Sequence, residues 1–508
     1  MSTQLSDSPT SLSGNLAATS IPGLDDVLGG GFARSQLYLL EGEPGTGKTT
    51  LAIQFLLEGR AKGETCLYLT LSETADELRL AAQSHGWDLA GIHIREMVPQ
   101  EDSIRAEAQY TVLPPSEVEL ATSLDAIHQA VKECCPARVV VDSLSELRLL
   151  SQDTLRYRRQ ILALKHFFAA QQCTVLLLDD RIHSNGDGQV QSVAHGVVVL
   201  NHMAMEYGAE RRRLRVTKYR AQRYRGGNHD FVIRTGGLAV FPRLVTSDHN
   251  YTFEQETLPS GSAALDQLIG GGLDAGATTL LLGPAGAGKS VLATKYCRSA
   301  ADRGEAVSIW NYDESSALFR ERARQVGLSL DAHAESGLLR SHQVDPSELS
   351  PGEFAHRVVD DVQTRDVRVL VIDSLNGYLN AMPDEKLLDV HLHELFAFLA
   401  KRGVLTLVTL AQRGFFGAMG GEQQTDLSYL ADTVLLLRYF ESDGEVRKAI
   451  SVMKKRSGPH ETTIREYRVG PPEGIMVGEP LRQFRGVLTG VPVFVGDKAQ
   501  VSQPNASR

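Results

Sequence analysis

Gly42-Glu43-Pro44-Gly45-Thr46-Gly47-Lys48-Thr49 recurs 241 positions later as Gly283-Pro284-Ala285-Gly286-Ala287-Gly288-Lys289-Ser290. Both stretches fit a Gly-rich loop closed by Lys and a hydroxyl residue. In such a loop successive backbone N–H groups cradle phosphates, and the Lys reaches the outer ones. The flanks keep the same spacing: Gly29-Gly30-Gly31 returns as Gly270-Gly271-Gly272, and Glu73 returns as Glu314. One period shared by several signals marks a duplicated domain.

Each copy carries the context the loop needs, an apolar strand before it and a helix after it. Residues 36–40 read as a buried strand, 50–58 as a helix, and 66–70, 138–143, 174–178 and 197–200 as further strands. The second half repeats this order with strands at 278–282, 306–310, 367–373, 404–410 and 433–437. Short Val/Leu runs alternating with helical stretches predict an α/β fold, each half a mostly parallel sheet flanked by helices. The expected organisation is an arm over 1–18, a first domain over 19–245, a linker over 246–257, a second domain over 258–486 and a flexible tail over 487–508. The arm reads as disordered because residues 1–20 include nine Ser or Thr.

A chain of 508 residues exceeds what one core usually holds. No apolar run is long enough to span a bilayer, and the start lacks the basic and apolar regions of a signal peptide. Cys66, Cys134, Cys135, Cys173 and Cys297 form no C-x-x-C pair, as expected of structural thiols in the cytoplasm. The net charge of −10 argues against a nucleic-acid partner. Residues 211–225 are locally basic and read mainly as a solvated strand.

The loops assign the cofactors ATP and Mg²⁺. Gly45, Thr46, Gly47, Lys48, Thr49 and Thr50 bind the phosphates in the first half, and Gly286, Ala287, Gly288, Lys289, Ser290 and Val291 do so in the second. Thr49 and Ser290 are expected to ligate the metal directly. Asp142 and Asp373 end apolar strands, where a carboxylate can hold the metal's water shell. Each is followed by Ser rather than Glu, so the group that positions the attacking water must come from elsewhere. The candidates are Glu73, Asp313 and Glu314.

A P-loop, acids after the next strand, and a strand ending Asp-Ser together resemble the RecA-like pattern. Two such units in tandem, each preceded by Gly-Gly-Gly, resemble the KaiC family of ATPases and autokinases of circadian clock systems. Gly86-Trp87-Asp88, Asp432-Thr433-Val434, Lys218-Tyr219-Arg220 and Lys454-Lys455-Arg456 match as well, and the resemblance covers about Thr19 to Gly486.

This resemblance implies a homo-oligomer, a hexameric ring with ATP between neighbouring subunits. Lys218, Arg220, Lys454 and Arg456 would then reach the neighbour's ATP and neutralise charge as the γ-phosphoryl group leaves. Ser84 would also contact the first nucleotide. The resemblance further implies autophosphorylation of an adjacent Ser-Thr pair, matched here by Ser428-Tyr429, so Ser428 is the expected phosphosite and Tyr429 its altered neighbour.

Two departures stand out. The family has two Glu residues after the second strand of each half, the first acting as base. This chain has Ser72-Glu73 and Asp313-Glu314. Either Glu73 takes over in the first half, or that half hydrolyses ATP poorly. Asp313 is one methylene short, setting its carboxylate back by about 1.5 Å, and a misplacement of that order can cost ~10²-fold in rate. The leading expectation is an ATP-hydrolysing, autophosphorylating ring that signals to unidentified protein partners. The alternatives are an inert ATP-stabilised scaffold, or a nucleic-acid motor using the Gly-rich segment 414–421.

Overall fold

A computed structural model of the chain describes residues 15–97, 115–151, 153–180, 188–205, 208–245, 256–345, 347–380, 388–411, 427–487 and 493–495. The chain divides into two compact units, Met1–Arg243 and Leu244–Arg508.

In the first unit the strands of the main sheet are β1 (Leu37–Gly42), β2 (Cys66–Thr70), β3 (Ile92–Glu96), β4 (Arg138–Asp142), β5 (Thr174–Asp180), β6 (Gly196–Met203), β7 (Arg211–Tyr219), β8 (His229–Arg234) and β9 (Gly237–Phe241). Their order across the sheet is β9-β8-β7-β6-β1-β5-β4-β2-β3. The six strands from β6 to β3 run parallel, and β7, β8 and β9 extend the sheet antiparallel. The second unit repeats this with β10 (Thr278–Gly283), β11 (Ala306–Asn311), β12 (Leu339–Gln343), β13 (Val367–Asp373), β14 (Leu405–Ala411), β15 (Thr433–Ser442), β16 (Glu445–Lys455), β17 (Arg465–Gly470) and β18 (Gly474–Pro480), in the order β12-β11-β13-β14-β10-β15-β16-β17-β18. Two mostly parallel sheets flanked by helices are the tandem RecA-like architecture that the sequence predicts.

Alternation explains why the parallel strands read as continuous apolar runs. Tyr38, Leu40 and Val140 enter the core on one face of the first sheet, while Leu37, Leu39, Val139 and Val141 enter the core on the other. Both faces are covered by helices, so every position of the central strands Leu37–Gly42 and Arg138–Asp142 is buried. Each such side chain contributes about 1.5–3 kcal/mol of burial. Arg138 begins β4 and is itself fully buried. It pairs with Glu64 at 2.5 Å and donates to the carbonyls of Ala18 and Phe55, both at 2.8 Å.

The Ala18 contact corrects the expected disordered arm. Leu16–Ala17 pairs antiparallel with Phe32–Ala33, and Ala17 is fully buried. Residues 15–18 therefore belong to the first domain because they cover its core, whatever their Ser/Thr-rich surroundings. Residues 1–14, most of the linker (246–255) and most of the tail lie outside the described residues. In the tail, Val487 is buried, and Val493–Phe494 pairs with Phe484–Arg485. The basic stretch 211–225 is a strand internal to the sheet over its first nine residues. Arg213 there meets Asp230 on β8 at 3.3 Å, and Arg211 is buried.

Candidate functional site

In each half the phosphate loop lies between a buried strand and a helix: β1 and α1 (Lys48–Ala61), then β10 and α2 (Lys289–Asp302). Gly47 and Gly288 cap these helices in the left-handed region, at φ 99° and 100°. A Cβ on Gly47 would come within 2.5 Å of Ile233 on β8, so the position excludes larger residues. Thr46 is buried and ties the loop by donating to the Glu43 carbonyl at 2.8 Å. Ala287 is buried at the matching place. Gly45 and Gly286 lie exposed at the tips, and Thr50 and Val291 sit in the first helical turns.

The two loop lysines are held alike. Lys48 Nζ donates to the carbonyls of Gly42 and Glu43 at 2.9 Å, and Lys289 Nζ to those of Gly283 and Pro284 at 2.9 Å. Burial lowers the Lys289 pKa, against the pull of Asp373 and Asp313. In the first half Lys48 also forms an ion pair with Asp180, the last residue of β5, at 2.8 Å.

The expected metal residues meet in the first half: Thr49 Oγ1 donates to Asp142 Oδ2 at 3.1 Å, and the Tyr68 hydroxyl donates to the same oxygen at 2.5 Å. Burial raises the Asp142 pKa, opposed by these two hydroxyls and by the Lys48 charge. A hydroxyl and a carboxylate beside the loop supply the oxygen donors that Mg²⁺ prefers, so this set fits the ion. In the second half Asp373 accepts from Thr409 at 2.5 Å, and Ser290 opens α2 beside the loop.

The candidate bases differ between the halves. Ser72 is exposed and brings no carboxylate. Glu73 is anchored through its backbone, its N–H donating to Thr70 Oγ1 at 3.0 Å. Burial raises its pKa, helped by Asp142 and Glu77. In the second half Asp313 accepts a short hydrogen bond from Ser374, the residue after the metal-side Asp373. Glu314 is paired with Arg322 at 2.6 Å, and Arg322 also lies 3.9 Å from Asp373. The two acids that look equivalent in sequence are thus unlike in structure: Asp313 faces the site, and Glu314 is taken up by a guanidinium.

The Lys-x-Arg pairs both grip backbone carbonyls of their own chain. Lys218 Nζ donates to Gln191 at 2.6 Å and Ser192 at 3.0 Å, and Arg220 donates to Ser192 at 2.9 Å. Burial lowers the Lys218 pKa, as does Arg220. Lys454 donates to the carbonyls of Ser428 at 3.0 Å and Ala431 at 2.7 Å, while Arg456 reaches the Tyr429 carbonyl at 3.0 Å and the Asp432 carboxylate at 2.9 Å. Ser428 and Tyr429 lie in a single 3₁₀ turn, Leu427–Leu430. The Tyr429 side chain is exposed, with its hydroxyl 3.4 Å from Asp389. Ser84 ends the helix Ala75–Ser84, its hydroxyl bonded to the Ala81 carbonyl at 2.7 Å.

Sequence reasoning missed Tyr68, Asp180, Arg322, Ser374 and Thr409. It also missed a group that tethers the second loop: Tyr439 reaches the Ala285 carbonyl at 3.3 Å, Lys448 reaches that of Gly286 at 3.2 Å, and Tyr467 bonds that of Ala287. Asp180 had a signal, since it ends an apolar strand just as Asp142 does. The candidate nucleic-acid segment 414–421 lies outside the described residues. Among the described residues no helix is long and apolar enough to cross a membrane.

A family model described as the KaiC ATPase matches residues 17–245 and again 258–482. The chain is similar to the circadian clock protein KaiC3 of Synechocystis sp., with 25% identity over 483 residues and 94% of each chain covered. It is similar too to the circadian clock oscillator proteins KaiC of Thermosynechococcus vestitus, at 25% identity over 96% of this chain and 93% of the relative, and of Synechococcus elongatus, at 26% over 96% and 93%.

Proposed function

Since the chain belongs to the KaiC family of ATPases, we propose that it is a ring-forming, Mg²⁺-dependent ATPase of the cytoplasm whose second half phosphorylates Ser428. The ring acts as a platform whose nucleotide and phosphorylation state is read by protein partners. One observation carries this reading. Lys454 and Arg456, the pair expected to reach a neighbour's ATP, are bonded to the carbonyls of Ser428 and Tyr429. A nucleotide that engages this pair pulls on the turn bearing the phosphosite, so one contact serves both hydrolysis and phosphorylation.

The chain's own groups divide the work. Lys48 and Lys289 grip the outer phosphates, while Thr49 with Asp142, and Ser290 with Asp373, would hold Mg²⁺. The ion, when bound, neutralises charge on the β- and γ-phosphates. Asp313, oriented by Ser374, accepts the proton of the attacking water or of the Ser428 hydroxyl. Tyr429 is the weaker acceptor, because its longer side chain carries the hydroxyl away from a site shaped for Thr.

Intact mass spectrometry after incubation with Mg-ATP tests the kinase part. Wild type should gain one phosphate, and Ser428→Ala should gain none. Release of ADP without any added phosphate would leave an ATPase and remove the kinase. A scaffold reading of the first half is favoured by Ser72, which brings no carboxylate. It predicts retained nucleotide, very slow turnover and loss of the ring in Lys48→Ala.

A further inference from the structure

The first half lacks an acid where the second half has Asp313, and it has one where the second half has none. Asp180 lies directly beside Gly42, the first residue of the loop, in the parallel register of β5 and β1. The matching position beside Gly283 is Ala411. Each half therefore carries, besides the metal-side Asp142 or Asp373, one acid at the site that the other half lacks: Asp180 on the strand next to the loop strand, or Asp313 after the second strand. Either strand end opens toward the same place, because β5 and β14 lie between the loop strand and the strand ending in Asp142 or Asp373.

Two neighbouring acids of the first half are engaged elsewhere. Asp142 accepts from Thr49 and Tyr68. Asp179 is paired with Arg148. Glu73 is anchored to Thr70 through its backbone, and its half-buried carboxyl, near Asp142, is the competing candidate of this half. Asp180, about one-third exposed, sits 2.8 Å from Lys48 Nζ, the ammonium that grips the outer phosphates. A carboxylate in contact with that ammonium is within reach of a water lined up on the γ-phosphorus.

We propose that Asp180 is the catalytic acceptor of the first half, replacing the acid missing at Ser72. As the phosphates engage Lys48, the ammonium turns from Asp180 to the γ-phosphate oxygens, leaving the carboxylate to bind the water. The water oxygen bonds to the γ-phosphorus, and the bond to the β–γ bridging oxygen breaks. ADP leaves with that electron pair, and the water's proton passes to Asp180 and then to solvent or phosphate. The inference rests on the ATPase reading of this half.

The test uses the full chain carrying Lys289→Ala, so that turnover belongs to the first half. Asp180→Asn should lower kcat by ~10²-fold or more, the loss typical of a missing general base. KM for ATP, and the affinity for a fluorescent non-hydrolysable ATP analogue, should stay within about threefold or tighten, because Lys48 loses a competing partner. Asp180→Glu should recover at least about tenfold of the lost kcat, as a reach-compatible carboxylate would. Asp180→Asn with kcat within about threefold of its parent overturns the proposal. So does a variant that loses analogue binding together with turnover and is not rescued by Glu, since Asp180 would then be structural. A parent that binds the analogue but turns over no ATP overturns the ATPase reading of this half and the proposal with it, which separates the two failures.

Discussion

Arg322 separates the two adjacent acids of the second half. Its guanidinium lies 2.6 Å from Glu314, so this carboxylate is spent on an ion pair, while Ser374 fixes its neighbour Asp313. Burial raises the Glu314 pKa, Arg322 opposes that rise, and Asp373 and Asp313 add to it. In full-length Lys48→Ala, where turnover belongs to the second half, Asp313→Asn should cut ADP release by ~10²-fold or more, whereas Glu314→Gln should cost less than about fivefold. The reverse ranking would make Glu314 the base. The loops could be located from their shared spacing of 241, the metal acids from the apolar strands they end, and the Lys-x-Arg pairs from the family resemblance. Arg322 could not be, since the position 241 earlier is Ala81. A contact present in one half has no period to reveal it.

Among the elements, the parallel core was legible because burial on both faces leaves unbroken runs such as Val139-Val140-Val141. Several of the strands that were not anticipated carry polar or charged residues that break the apolar run. His93 and Arg95 alternate with Ile92 and Ile94 on edge strand β3, and Arg465 and Arg468 interrupt β17. The reading of β5 stopped at Leu178, where the apolar run ends, and so passed over Asp179 and Asp180. Polar ends of buried strands are where this fold keeps its chemistry.

The helix Pro351–Arg365 shows polar chemistry serving stability instead. Its Asp361 is buried beside His342 of β12 at 3.5 Å, with Arg365 at 3.4 Å and Arg340 at 3.8 Å. Burial alone would raise the carboxyl pKa, but hydrogen bonds from His342 and Ser308 and the Arg365 charge overcome it and bring it down to about 2. A depressed carboxyl pKa contributes stability that is present above the unfolded value of 3.8 and fades as pH falls toward 2. The drop corresponds to about 2 kcal/mol. Asp361→Asn should therefore weaken the second half by that order at pH 7 and match wild type near pH 2. Trp310, stacked on His342 at 4.2 Å, reports the transition in urea when Trp87 is replaced by Phe. A deficit that persists unchanged to pH 2 would mean that packing, not charge, is what Asn disturbs.

For the whole molecule, the ring reading turns on where Lys454 and Arg456 act. Within one chain both hold the Ser428 turn, so a defect in Arg456→Ala could come from that turn or from a neighbour's ATP. Mixing separates the two. Subunits with Arg456→Ala keep their own loop lysine, and subunits with Lys289→Ala keep the arginine. With the first half silenced in both by Lys48→Ala and the chains preassembled through refolding together, each variant alone should show almost no second-half turnover. In a head-to-tail ring one face of each subunit meets a different face of the next, so an equal random mixture restores both groups at about one interface in four. Turnover should then recover to about a quarter of the second-half rate, with the arginine supplied in trans as in other phosphoryl-transfer enzymes. If each site used its own chain's arginine, no mixture could restore it, and turnover would stay at the level of the separate variants. The phosphate on Ser428, followed in the same mixture by intact mass, should appear on the subunit whose turn meets the repaired site, which shows whether phosphorylation shares the hydrolytic interface.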